Sequence, residues 1–255
     1  MDLKIQHFVI FITIVFFVSC KEAVPHLQKI DTKRLVVTDS LDANDSISAF
    51  IAPYKKRVNE VLDSALAYAP LAITKTDGVL NTSAGNLLAD IVLQRGRPIF
   101  ESRTGKNIDF TLLNHGGIRA IISSGKVSAR TAYEVMPFEN TIVVVGLKGK
   151  AVRDLISFVV REDRPHPIAG IQIIVDKEKS LQAVNIGGEP FNENQMYYVA
   201  TSNYLASGGD SMVFFKNGTD IIETDYLIRN AILDHFKEVD TLKAAVDDRF
   251  MQLNN

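Results

Sequence analysis

Tryptophan is absent from this sequence, and cysteine occurs once, at Cys20. A lone cysteine excludes an internal disulfide framework, so the fold has to be held by its own core. Neither sign of charge dominates: 28 Lys+Arg stand against 30 Asp+Glu, a formal net charge of -2. Nucleic-acid binders carry a basic excess or a basic stripe, so this balance speaks against a nucleic-acid partner. No internal repeat, low-complexity block or biased composition is visible, which excludes coiled-coil, collagen-like and disordered classes. No Walker A loop and no Gly-x-Ser-x-Gly nucleophile elbow occurs. What is present is 46% hydrophobic and 23% charged, and 255 residues are enough for one large domain or two small ones.

The one sustained apolar run is Phe8 to Val18, broken only by Thr13 and preceded by Lys4. Eleven residues are too few for a bilayer-spanning helix, which takes roughly 20, and suit the apolar core of an export signal. The run ends Phe17-Val18-Ser19-Cys20, then Lys21-Glu22. This resembles a bacterial lipoprotein signal, and the Lys-Glu pair resembles the surface-export signal of Bacteroidetes-type lipoproteins. Phe17 stands where that motif usually has Leu. Residues 1–19 then form the signal peptide, Cys20 carries the lipid and anchors the chain to the membrane, and 20–44 form a polar tether. The protein is expected in the bacterial cell envelope, lipid-anchored on the periplasmic or surface face of the outer membrane. The other reading of the same residues is a plain secretory peptide with an incidental cysteine.

Residues 45–250 carry no Gly/Ser/Pro-rich linker and are expected to form one domain. The spacing of Ile47, Phe50, Ile51, Tyr54, Val58, Val61, Leu62 and Ala65 predicts an amphipathic helix from Asp45 to Tyr68, with a kink or a shifted start at Pro53. A second helix is predicted from Ser83 to Gln94, capped by Thr82 or Ser83, with Leu87, Leu88, Ile91 and Val92 inward. Further helices are predicted at Gly149–Arg161 and Tyr226–Phe236. Strands are predicted at Ile108–Leu113, Asn140–Leu147, Ile171–Val175 and Tyr197–Thr201. Strands and helices interleave without strict alternation, which predicts an α+β (mixed α/β) fold with mixed sheets flanked by helices.

Three segments carry chemistry. Asn114-His115-Gly116-Gly117-Ile118-Arg119 follows a buried strand. Its glycines admit a close ligand approach, Asn114 both donates and accepts, and Arg119 offers a planar fork for phosphate or carboxylate. A tight turn with a solvated arginine reads equally well. Pro137-Phe138-Glu139-Asn140-Thr141 puts an aromatic before a strand, where core filling is the plainer reading. Tyr204-Leu205-Ala206-Ser207-Gly208-Gly209-Asp210 places an aromatic and a carboxylate around a second glycine pair. Two aromatics on separate loops can sandwich a planar ring, and a carboxylate can accept from a sugar diol.

Together these segments resemble the signature loops of the C-terminal domain of bacterial and animal 5′-nucleotidases. That family also includes the UDP-sugar hydrolases and 2′,3′-cyclic-nucleotide phosphodiesterases. Gly85-Asn86-Leu87-Leu88-Ala89-Asp90 and Ile51-Ala52-Pro53-Tyr54-Lys55 match it too, in order, over about residues 45–240. The resemblance implies a nucleotide-binding domain that works beside a metallophosphatase domain. It implies Phe138 and Tyr204 on the two faces of the base and Asp210 on the ribose hydroxyls. Asn114 falls at the base or sugar edge, Arg119 at the phosphate, and Gly116, Gly117, Gly208 and Gly209 in the closing loops. Position 204 is commonly Phe in that family.

The resemblance also has gaps. One or two arginines usually precede the Gly-Asn-Leu helix entry, facing the phosphate, whereas Thr76-Asp77-Gly78-Val79-Leu80-Asn81 holds no basic residue and Lys75 is the nearest. A lost charge-assisted phosphate contact costs about 1.5–3 kcal/mol. His115 stands where small residues are common and receives no role. The metallophosphatase pattern of Asp-x-His, Gly-Asp, Gly-Asn-His-Asp/Glu and paired His is missing; the histidines are His7, His26, His115, His166 and His235. The expectation is therefore no catalytic residue, metal site or cofactor in this chain. Its partners would be a nucleotide or nucleoside and a separate metallophosphatase subunit that holds the divalent metals. A stand-alone nucleotide-capturing surface lipoprotein is the alternative.

Overall fold

A computed structural model of the chain describes residues 2–18, 27–38, 40–162 and 164–253. Cys20, the lipidation candidate, lies outside the described residues together with the end of the signal segment. The chain divides into two units, Met1–Phe50 and Ile51–Asn255. The first contains helix α1 (Asp2–Val18), with Lys4 to Thr13 solvent-exposed, and the start of α2 (Asp45–Leu62). Asn44 caps α2, its Oδ1 accepting the Ile47 N–H at 3.2 Å. Among the described residues no helix is long and apolar enough to cross a membrane.

The first predicted helix needs correction in three respects. It runs through Pro53, so its start is not displaced to that point. It ends at Leu62, and the residues expected as its last turn form strand β1 (Ala65–Ala69). None of its residues is buried, and Ile51, Val58 and Val61 are exposed. Periodicity marks an apolar face without saying whether anything covers it.

Beyond β1 the order is α3 (Ser83–Thr104), β2 (Phe110–Leu112), β3 (Gly125–Ser128), α4 (Ala129–Val135), β4 (Thr141–Lys148) and α5 (Gly149–Arg161). There follow β5 (Ile168–Ala169), β6 (Ile171–Val175), β7 (Leu181–Ile186), β8 (Glu189–Pro190), β9 (Met196–Ser202) and α6 (Asn203–Ala206). The chain closes with β10 (Asp220–Leu227), α7 (Ile228–Glu238) and β11 (Phe250–Gln252). α3 starts where expected, with Thr82 Oγ1 accepting the Gly85 N–H at 3.1 Å, but continues past Gln94 to Thr104. Gly96, within that extension, sits where a Cβ would approach Ile108 Cδ1 to 3.1 Å, so it serves close packing. The last helix is displaced as well: Tyr226 belongs to β10, and α7 begins at Ile228.

A five-stranded sheet in the order β10-β4-β9-β2-β5 forms the centre. Its β2–β9 pair is parallel and its other pairs are antiparallel. Strand alternation divides its side chains between two cores. Ile142 and Val144 of β4 enter a core with α3, α4, α7 and the β1–β3 pair. Val143, Val145 and Leu147 enter the other, with α5 and a four-stranded sheet ordered β11-β6-β7-β8. Both faces of the central sheet are therefore covered, which explains why β4 is apolar at consecutive positions. The fold is the mixed, helix-flanked α+β architecture that the sequence implies.

Candidate functional site

The sheet order gathers three loops at one end. β2 and β9 run parallel, so the loops that leave them emerge together. β4 is antiparallel to β9, with Ile142 opposite Ser202, so the loop entering β4 arrives at that same end. These are the segments around Asn114, Phe138 and Tyr204, far apart in sequence and adjacent in space. They enclose a cavity of about 380 Å³ lined by Asn114, Gly116, Gly117, Arg119, Phe138, Asn140, Tyr204 and Asp210. That volume lies within the usual range for small-molecule sites.

Each wall has a local cause. After β2 the chain makes a 3₁₀ turn at His115–Gly117, and the Arg119 N–H is anchored on Val135 O at 2.9 Å. The Arg119 guanidinium lies over the Phe138 ring, 5.7 Å from its centroid. The loop bearing Phe138 is pinned from behind by Arg229 of α7, 7% exposed, which donates to Pro137 O at 3.2 Å. Arg229 also stacks over Tyr133 at 4.4 Å. After β9, Ser202 Oγ accepts the Leu205 N–H at 3.1 Å and caps the short α6. Gly208 then adopts φ 90°, and the Tyr204 ring lies so close over Gly209 that a Cβ there would stand 2.5 Å from Cζ.

Phe138 is 40% exposed and Tyr204 43% exposed. Neither fills the core, which removes the plainer reading of Phe138. Large aromatics left open at the mouth of a cavity, beside a cation and a carboxylate, make a surface for a planar polar ligand. Gly208 and Gly209 shape the turn without lining the cavity. Asn140 lines it and was not singled out by sequence, although it stands in the same motif as Phe138.

Arg119 is the one cation among the lining residues. Lys75 Nζ donates to Ile118 O at 2.7 Å, and His115 Nε2 lies 3.3 Å from Lys75 O. In the stretch before α3, Asp77 Oδ1 accepts the Ser83 N–H at 3.0 Å and its other oxygen accepts the Ser83 hydroxyl. A carboxylate suits this position because a helix N-terminus favours negative charge. The His115 N–H donates to Nδ1 of the buried His166 at 3.3 Å. Burial depresses the pKa of both histidines, that of His166 to about 4. Among the described residues no group of three or more His, Cys, Asp and Glu side chains is arranged to hold a metal ion.

The family model described as 5′-nucleotidase, C-terminal domain, matches residues 68–217. The chain belongs to that family. Protein UshA of Escherichia coli is 24% identical over 221 residues, a match covering 84% of this chain and 38% of that protein. A 5′-nucleotidase of Vibrio cholerae is 22% identical, covering 81% of this chain and 37% of its own length. The chain thus spans less than two-fifths of these relatives. Among solved structures, a 5′-nucleotidase precursor from Thermus thermophilus superposes with TM-score 0.67 at 26% identity, over 83% of this chain and 44% of that one. The Haemophilus influenzae NAD nucleotidase gives TM-score 0.60 at 21% identity, a likeness of fold. The three cavity loops, from Asn114 to Asp210, fall inside the matched region.

Proposed function

We propose that this chain is the nucleotide-binding half of a 5′-nucleotidase-type phosphoester hydrolase, acting in nucleotide breakdown or salvage with a separately encoded metallophosphatase. The observation that carries the reading is the cavity itself, with two exposed aromatics, one guanidinium and one carboxylate converging from three loops. In this reading Phe138 and Tyr204 hold the base between them and Asp210 accepts from the ribose hydroxyls. Asn114 hydrogen-bonds the base or sugar edge, and Arg119 receives the phosphate. Phosphoester hydrolysis of this type needs clustered ligands for one or two cations. Among the described residues of this chain no group of three or more such side chains is arranged for that role. In this reading the divalent metals belong to the partner, and no cofactor is assigned to this chain. Lipidation at Cys20 would hold the assembly at the bacterial cell envelope.

Reconstitution tests this. Addition of a cognate secreted metallophosphatase should raise nucleotide turnover, and Arg119→Ala or Phe138→Ala in this chain should abolish the gain. A panel of such partners that produces no enhancement would refute it.

A second reading, a stand-alone lipoprotein that captures nucleosides or nucleotides, is favoured by one observation: Arg119 has no second cation beside it in the cavity lining. Calorimetry with AMP, adenosine and UMP separates the two. Tight binding without any partner supports capture, and adenosine binding as well as AMP marks the phosphate as dispensable.

A further inference from the structure

Asp210 is fixed more firmly than a stacking pocket requires. Its backbone is left-handed at φ 49°, followed by Ser211 at φ 63°, conformations that residues with a Cβ seldom adopt. The Tyr204 hydroxyl donates to Asp210 Oδ1 at 2.9 Å and accepts the Asp210 N–H at 3.2 Å. One phenol oxygen thus ties both the carboxylate and the strained backbone. On the other side, Asn114 Nδ2 donates to Oδ2 at 2.6 Å. The Tyr204 ring rests against Gly209, where even a Cβ would intrude, so the phenol has little room to shift toward that backbone.

A carboxylate offers about four lone-pair positions. The two protein donors occupy one on each oxygen, and each oxygen keeps one for a ligand. Two oxygens oriented in this way suit two adjacent hydroxyls. We infer that the Tyr204 hydroxyl is a positioning group that sets the Asp210 carboxylate for the cis-diol of a ribonucleoside, so that the site discriminates against 2′-deoxyribonucleosides. This rests on the nucleotide reading of the cavity. Tyr204 then has two separable functions: its ring face stacks, and its hydroxyl selects the sugar. A phenylalanine at 204 would keep the first and lose the second.

The test is titration of the full chain with adenosine and 2′-deoxyadenosine, by calorimetry or chemical-shift mapping, up to millimolar ligand. Wild type should prefer adenosine about tenfold, the factor carried by one charge-assisted hydrogen bond. In Tyr204→Phe the preference should narrow to about threefold or less, with adenosine weakened more than the deoxy compound. A merely structural role for the hydroxyl would weaken both ligands alike and leave the ratio unchanged, which overturns the inference. Equal affinities in the wild type overturn it too, and leave the nucleotide reading standing. Failure of adenosine to bind the wild type overturns the inference, while the nucleotide reading stands or falls separately on reconstitution with the metallophosphatase.

Discussion

Protonation of His166 should destabilise the fold, and its size can be worked from the structure. The side chain is 5% exposed, its ring packs 5.7 Å from that of Phe158, and Nδ1 accepts the His115 N–H. That bond places the proton of the neutral ring on Nε2, which has no hydrogen-bond partner among the described residues. Burial is the main cause that lowers the pKa to about 4; Glu162 and Asp210 pull it up, while His115 and Arg164 push it down. Above pH ~6.5 the imidazole is neutral in both the folded and unfolded chain, and pH has no effect through this group. Below that, the unfolded chain takes up a proton that the fold refuses, so stability falls as pH drops toward ~4. The full loss is about 3 kcal/mol, of which about 2 kcal/mol is already felt at pH ~5. His115 and His235 are also depressed, chiefly by burial, and act in the same sense, so the effect has to be isolated by difference. His166→Asn keeps an acceptor near the His115 N–H and does not titrate. Urea unfolding followed by circular dichroism at pH ~7.5 and ~5 should show the variant losing about 2 kcal/mol less than wild type over that interval. Equal losses in the two proteins would refute the assignment.

Three further perturbations follow from the packing. Thr82→Ala removes the acceptor of the Gly85 N–H at the start of α3 and should cost about 1 kcal/mol by urea unfolding; no measurable change would mean that the cap is replaced. Gly149→Ala would put a Cβ 2.1 Å from Glu193 O, a backbone atom that cannot rotate away, and should cost about 1–3 kcal/mol; an unchanged thermal midpoint would refute the close approach. Phe215→Ala empties a fully buried position beside Phe214 and should cost about 3–5 kcal/mol in denaturant unfolding; a loss below about 1 kcal/mol would show that the core refills.

Elements with strong local signals were legible. α5 spans Gly149–Arg161 and β6 spans Ile171–Val175, as periodicity and β-branching indicate. Elements that depend on distant partners were not. Residues up to Tyr68 read as the end of a helix because Ala65 continues its apolar spacing; Ala65–Ala69 is a strand because β3 pairs with it and Tyr68 N–H donates to Asp240 O at 2.9 Å. β10 is largely exposed and mixes polar with apolar residues, so its sequence lacks a buried-strand pattern; pairing with β4 makes it a strand. The motifs around Asn114, Phe138 and Tyr204 were visible as residue types. Their convergence on one ligand is implied by the family resemblance alone; its physical cause is not legible locally, because the antiparallel β4–β9 and parallel β2–β9 pairings bring those loops to one end of the sheet.

By itself, then, the sequence determined the family, the mixed fold class and the residue types in the three loops. Each of these is written in local spacing and in the chemistry of neighbouring residues. Only the tertiary structure decided that Phe138 stays open to solvent, that Asn140 joins the cavity wall, and that the Tyr204 hydroxyl is spent on Asp210. Exposure and hydrogen-bond partnership belong to pairs of residues brought together by folding. The backbone angles of Asp210 are held by such a pair, and no property of Asp210 alone prescribes them.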